Sequence, residues 1–182
     1  LGKGISGDSM QNAAILARLG SGSATRSVYG SYATWGEIDG FHESSNEYAS
    51  PLDFSVNNIY AELQDTILII DTTEKKVSSS AGHSLMDGHP FAEQRFINAR
   101  SNLNTLIGVL RAGDFNEFAR VLELEALSLH ALMMTAHPWY TLLAPNTLTA
   151  LEKIRDFRVK TGTNITFTLD AGPNVHVIYP VD

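Results

Sequence analysis

Two strand-like runs close this chain, and the five residues between them, Asp170-Ala171-Gly172-Pro173-Asn174, constrain its fold more than any other stretch. From 164 to 169, Ile165, Phe167 and Leu169 alternate with polar residues, the period of two that gives a strand one apolar face. The run 174–179 reads as a second strand, and the Gly-Pro pair between them breaks both. Well upstream, Thr66-Ile67-Leu68-Ile69-Ile70 is a continuous apolar run ended by Asp71, short enough for a buried strand rather than a helix.

Three helical patterns lie between that run and the closing strands. Phe96, Ala99, Leu103, Leu106, Ile107 and Leu110 mark one amphipathic face, and Gly113 ends it. Asp114, with Glu117 three residues on, resembles a capping box for a second helix through Phe118, Leu122, Leu129 and Met133 towards Pro138. Asn146, after Pro145, is placed to cap a third, with Leu148, Leu151 and Ile154 inside and Gly162 just past its end.

The first third of the chain is less regular. Asp8 or Ser9 caps a short helix with Met10, Ala13, Leu16 and Ala17 as its apolar face, ended by Gly20. The run 29–38 is rich in aromatic and β-branched residues and reads as a strand, and 39–51 reads as a surface loop. A domain boundary is expected within 58–64, giving residues 1–61 and 62–182. Leu1-Gly2-Lys3-Gly4-Ile5-Ser6-Gly7 reads as an interior loop, with no initiating Met and no signal or transit peptide, which suits one piece of a longer or cut protein.

Thirteen basic against twenty acidic side chains give a net charge of -7, so the surface repels polyanions and nucleic acid is not an expected partner. Any phosphorylated ligand must be held locally by guanidinium, hydroxyl and backbone N–H groups. No segment approaches the roughly 20 apolar residues that span a bilayer, so no membrane association is expected. The absence of cysteine excludes disulfides, thiolate metal sites and a cysteine nucleophile, and agrees with a cytoplasmic location. His83 with His89, and His130 with His137, lack metal-ligand spacing, so most histidines read as structural and no metal site is assigned.

Three runs carry chemistry-bearing residues. Gly20-Ser21-Gly22-Ser23-Ala24-Thr25-Arg26 offers backbone amides, hydroxyls and a guanidinium to an anion, although taken alone it reads more simply as a tight loop with a surface arginine. Lys75-Lys76-Val77-Ser78-Ser79-Ser80-Ala81-Gly82 follows the apolar run, where hydroxyls at a strand end can face a cleft; a solvated loop capping the next helix is the plainer alternative. Asp170, directly after an apolar strand, is expected to be partly buried; an Asx turn closing a hairpin and a functional carboxylate account for it equally well.

Taken together and in this order, the runs 20–30, 75–82, Ser128-Leu129-His130-Ala131 and 168–174 resemble mevalonate diphosphate decarboxylase of the GHMP kinase superfamily. The likeness extends over essentially the whole chain but covers only the later part of a family member. The lysine-containing motif and the Ser-rich ATP phosphate loop that precede these runs in the family are absent from the sequence. The resemblance implies two departures from the commonest family pattern, at His83, where many relatives have methionine, and at Thr25, often cysteine or serine.

The resemblance implies an α+β, GHMP-type two-domain fold, with the remainder of an N-terminal domain over 1–61, a ferredoxin-like C-terminal domain over 62–182, and the active site between them. It implies ATP-dependent decarboxylation of mevalonate 5-diphosphate to isopentenyl diphosphate, with ATP and Mg2+ as cofactors. Asp170 would orient and help deprotonate the tertiary hydroxyl that receives the γ-phosphoryl group, and Arg26 would grip the substrate carboxylate. Ser21, Ser23, Ser79 and Ser80 would contact substrate phosphate or carboxylate, and Gly172 and Asn174 would shape a phosphate pocket. A mevalonate-type kinase and a non-catalytic fragment needing a second chain are the alternatives; a homodimer and an N-terminal companion fragment are the candidate protein partners.

Overall fold

Gly113 and Asp114 fix the point at which one long helix ends and the next begins. The computed structural model describes residues 7–72 and 86–181. Ser79, Ser80, His83 and the polar turn over 75–82 lie outside those residues. The chain divides into two compact units, Leu1–Ser55 and Val56–Asp182. The division precedes the expected boundary at 61/62 because Asn57 and Tyr60 are tied to the second unit. Asn57 N–H donates to the Leu110 carbonyl at 2.7 Å, and the fully buried Tyr60 ring lies 4.9 Å from Phe118 and 6.5 Å from Phe115.

The first unit contains α1 (Gly7–Gly20), a 3-10 helix (Gly22–Val28), β1 (Ala33–Trp35) and β2 (Ala49–Pro51), the two strands pairing antiparallel. The expected strand over 29–38 contracts to three residues: the 3-10 helix occupies its approach, and Gly36, with φ +118°, turns the chain away after Trp35. On α1, Ala14 is the buried residue, whereas Leu16 and Ala13 are exposed, so the apolar face is rotated from the expected one.

The second unit contains β3 (Leu63–Leu68), α2 (Ala92–Ala112), α3 (Phe115–Thr135), α4 (Pro145–Thr161), β4 (Thr166–Leu169) and β5 (Val175–Pro180). The α+β class inferred from the sequence is the class observed. Gly113 ends α2 at φ +84°, and a Cβ there would come within 2.6 Å of the Asn57 side chain, so both backbone angle and space demand glycine. The Asp114 carboxylate accepts the Glu117 N–H at 3.1 Å and starts α3. Pro145 opens α4 with Ala144 as its N-cap in place of the expected Asn146, and Gly162, at φ +70°, closes it.

Among the described residues the sheet runs β3-β5-β4, all antiparallel. Phe167, Leu169, Val175 and Val177 are buried against Ala126 of α3 and Leu151 and Ile154 of α4. Each large side chain fully buried in such a cluster contributes about 1.5–3 kcal/mol. β3 differs from expectation. Among the described residues it is an outer strand beside β5, as β4 is on the other side, and Ile67, Leu68 and Ile69 are 52%, 37% and 68% exposed. The cluster closes over β4 and β5, and from the apolar run only Ile70, beyond the strand's end, packs at its margin.

Among the described residues one carboxylate is buried within this layer. Glu123 of α3 is 5% exposed, and its carboxylate accepts from Arg155 Nε at 3.0 Å, Arg158 Nη1 at 2.6 Å and Thr166 Oγ1 at 2.9 Å. It thereby joins α3, α4 and the first residue of β4. Replacing Glu123 with Ala leaves the largely buried Arg158 guanidinium and the fully buried Thr166 hydroxyl without their acceptor, while the half-exposed Arg155 remains solvated. The expected loss is about 3–5 kcal/mol in urea unfolding of the intact protein, and a loss below about 1 kcal/mol would contradict this role.

Candidate functional site

The turn 170–174 joins β4 to β5 and is held by side chains from two helices. Leu169, the last residue of β4, is buried; Asp170 leaves the strand and is exposed, which corrects the partial burial expected of it. The strand's apolar alternation stops one residue before the carboxylate. The Asp170 carbonyl accepts the Gly172 N–H at 2.9 Å and lies 3.1 Å from His130 Nε2. A carbonyl only accepts, so His130 Nε2 carries the proton. Two donors therefore use both lone pairs of that oxygen.

The far side of the turn is fixed in the same way. Thr147 of α4, fully buried, donates its hydroxyl to the Pro173 carbonyl at 2.6 Å and accepts the Ala144 N–H at 3.2 Å. Asn174 Oδ1 accepts the N–H groups of Ile70 at 2.8 Å and Asp71 at 3.1 Å, tying the turn to the segment just past β3. Gly172 and Asn174 were expected to shape a phosphate pocket; the Gly172 N–H and the Asn174 Oδ1 are the atoms with which they hold the turn itself. Two concavities of this unit lie around 161–165 with Tyr179, and between α2 and α3 beside Phe91, Arg95, Ser128 and Leu132, and neither includes Asp170.

His130 and Thr147 are the residues that sequence reasoning missed. The run 128–131 was singled out, but nothing in its spacing pointed to a turn some forty positions away. His130 is 2% exposed, and its Nδ1 is shielded from solvent with no hydrogen-bond partner among the described residues. Burial holds its pKa below the usual 6.5, outweighing the raising effects of the hydrogen bond to the Asp170 backbone and of the Asp170 charge.

In the first unit, the 3-10 helix sorts the candidate residues by face. Side chains three apart eclipse one another in such a helix, so Gly22 and Thr25 share one edge and Ser23 and Arg26 another. Thr25 is fully buried, its Oγ1 accepting the Ala49 N–H of β2 at 2.9 Å. A Cβ on Gly22 would stand 3.0 Å from the Trp35 ring. Ser23 and Arg26 are exposed together, and Ser21, at the N-cap, is exposed with its side chain making no capping bond. Ser23 and Arg26 thus form a hydroxyl and guanidinium pair on one outward edge, a chemistry suited to carboxylate or phosphate.

Among the described residues no three His, Asp or Glu side chains gather to hold a metal ion, and no helix is long and apolar enough to cross a membrane.

A family model described as the mevalonate 5-diphosphate decarboxylase C-terminal domain matches residues 66–182. Diphosphomevalonate decarboxylase of Gibberella zeae is 28% identical over 177 residues, covering 94% of this chain and 45% of that protein. The Homo sapiens diphosphomevalonate decarboxylase is 28% identical over 174 residues, covering 92% and 42%. The chain spans about half the length of the curated relatives it matches. Among solved structures, a mevalonate diphosphate decarboxylase from Legionella pneumophila has a TM-score of 0.81 at 30% identity, covering 95% of this chain and 51% of that one. A structure described as MDDEF in complex with MVAPP, AMPPCP and magnesium has a TM-score of 0.81 at 32% identity, covering 94% and 51%.

The depressed pKa of His130 sets a pH dependence. Above the unfolded value of 6.5 the ring is neutral in both states. Below it only the unfolded residue gains a proton, so stability falls with pH until the folded ring also titrates. Urea unfolding from about pH 7.5 to about pH 5.5 is expected to show a steeper decline in the parent protein than in His130→Gln. Parallel curves would contradict the assignment.

Proposed function

Because the chain belongs to the mevalonate 5-diphosphate decarboxylase C-terminal domain family, we propose that it forms part of an enzyme that decarboxylates mevalonate 5-diphosphate to isopentenyl diphosphate at the expense of ATP, in cytoplasmic isoprenoid biosynthesis. The observation that carries this is the Asp170 turn, an exposed carboxylate on a backbone fixed by His130, Thr147 and Asn174, inside the matched segment. The first unit is the remainder of a GHMP N-terminal domain, and the second is the C-terminal domain.

In this function Asp170 orients the tertiary hydroxyl of the substrate and takes up its proton as the phosphoryl group is accepted. Arg26 holds the substrate carboxylate through its guanidinium fork and keeps it aligned for loss as carbon dioxide. Ser23, on the same helix edge, together with Ser21, Ser79 and Ser80, donates hydroxyl hydrogen bonds to substrate phosphate or carboxylate oxygens. ATP is the proposed phosphoryl donor and magnesium its counter-ion. The described residues offer no cluster of three metal-ligating side chains, so no step is assigned to a metal through them.

The deciding experiment follows carbon dioxide and ADP separately in the intact protein supplied with ATP and mevalonate 5-diphosphate. Decarboxylase activity releases both, whereas a kinase releases ADP alone. Asp170→Asn is expected to lower turnover about 10²–10⁴-fold while sparing diphosphate binding; retained carbon dioxide release would sink the assignment. Arg26→Met is expected to lower kcat/KM by about 10–100-fold, as loss of a charge-assisted hydrogen bond to the carboxylate would, and an unchanged value would remove Arg26 from the site.

A further inference from the structure

The Asp170 backbone is held by a group whose chemistry leaves it one productive protonation state. His130 reaches the Asp170 carbonyl through Nε2, and that nitrogen must donate. Its other nitrogen, Nδ1, is buried without a partner among the described residues. A proton on Nδ1 would leave either a bare lone pair facing the carbonyl or a buried imidazolium, and both are costly in a site from which water is excluded. The ring is therefore fixed as the neutral Nε2–H tautomer.

The helix that carries His130 is itself fixed. Glu123 lies seven residues earlier, two turns along the same face of α3, and binds Thr166 at the start of β4. His130 binds Asp170, the first residue past the end of β4. Seven helical residues rise about 10.5 Å, and four strand residues advance about 13 Å. The two bonds thus hold the strand near both ends from one helix face, and the second sits on the backbone of the carboxylate residue.

Resting on the reading of Asp170 as the residue that handles the substrate hydroxyl, we propose that His130 is a positioning residue for it, a neutral Nε2–H donor whose bond to the Asp170 carbonyl sets the carboxylate's place before substrate binds. It touches no substrate atom. Its removal displaces the carboxylate relative to the hydroxyl, which penalises the chemical step more than binding, since a misplacement of about 1 Å can cost 10²-fold in rate.

The test uses the intact enzyme with His130→Gln and His130→Asn. The Gln amide nitrogen reaches about as far as Nε2, and the shorter Asn amide does not. The Asn variant is expected to lose about 10–100-fold in kcat, with KM for mevalonate 5-diphosphate changed less than about threefold, and Gln to recover kcat to within about fivefold of the parent. Equal kcat in the two variants would overturn the proposal. Should the Asn variant fail to fold, the histidine 15N spectrum of the parent protein near neutral pH decides: a neutral Nε2–H ring supports the proposal, and an Nδ1–H or charged ring overturns it. Asp170→Asn in the same assay separates the two claims. If it turns over normally, the reading of Asp170 falls and takes this one with it; if it is inactive while both His130 variants match the parent, only the role of His130 is lost.

Discussion

The buried carboxylate of Glu123 is the constraint on which the second unit depends. An ionised carboxylate shut away from water costs several kcal/mol unless its lone pairs are answered. Here Arg155, Arg158 and Thr166 answer them, from α4 and β4. Each partner is tied further into the same layer. Arg155 also lies over the Phe167 ring at 5.5 Å, and Arg158 donates to the Ile165 carbonyl at 3.0 Å. Apolar contacts alone permit helices to slide over a sheet, because they lack direction. A charge that must meet three donors at hydrogen-bond distance removes that freedom and sets the register of α3 and α4 against β4.

That register reaches the site through the chain itself. Once Thr166 is fixed, the three residues that follow in β4 are placed by pairing with β5, and Asp170 emerges at a defined point. His130, two helical turns from Glu123, meets it there, and Thr147 of α4 meets Pro173 on the other side of the same turn. The turn is thus determined twice over, by the strands that enter and leave it and by the helices behind it. Its carboxylate remains exposed while its backbone is held, an arrangement suited to a group that must exchange protons with a bound ligand.

The helices of the second unit were legible because their signals are local. Gly113, Asp114 and Gly162 mark boundaries through requirements that a few neighbouring residues express; the 3.6-residue period is as local, but Phe96, expected on the apolar face of α2, is 58% exposed. β3 was legible as a strand but not as an outer one: a short apolar run such as 66–70 looks the same whether or not a helix layer covers it. The face of α4 was misjudged at Leu148, which is exposed, because Thr147 is drawn inward by the Pro173 carbonyl, a partner 26 residues away. The candidate site divides along the same line. Arg26 and Asp170 stand out through their motifs, whereas the support of His130 and Thr147 depends on contacts made only after the chain has folded.

The 3-10 helix of the first unit shows why such support falls to polar side chains. A segment of seven residues has too little apolar surface to hold itself in place, and isolated short helices are unstable in water. Thr25 supplies the missing constraint by accepting a backbone N–H from β2, and Gly22 brings the helix close to Trp35 because it has no side chain of its own. With that edge fixed, the neighbouring edge, offset by one residue and carrying Ser23 and Arg26, is fixed as well, although neither is buried. The same division recurs at Asp170, where His130 and Thr147 bond to backbone carbonyls rather than to the carboxylate. In both places a buried polar side chain bonds to the main chain, and the charged side chain beside it faces outward.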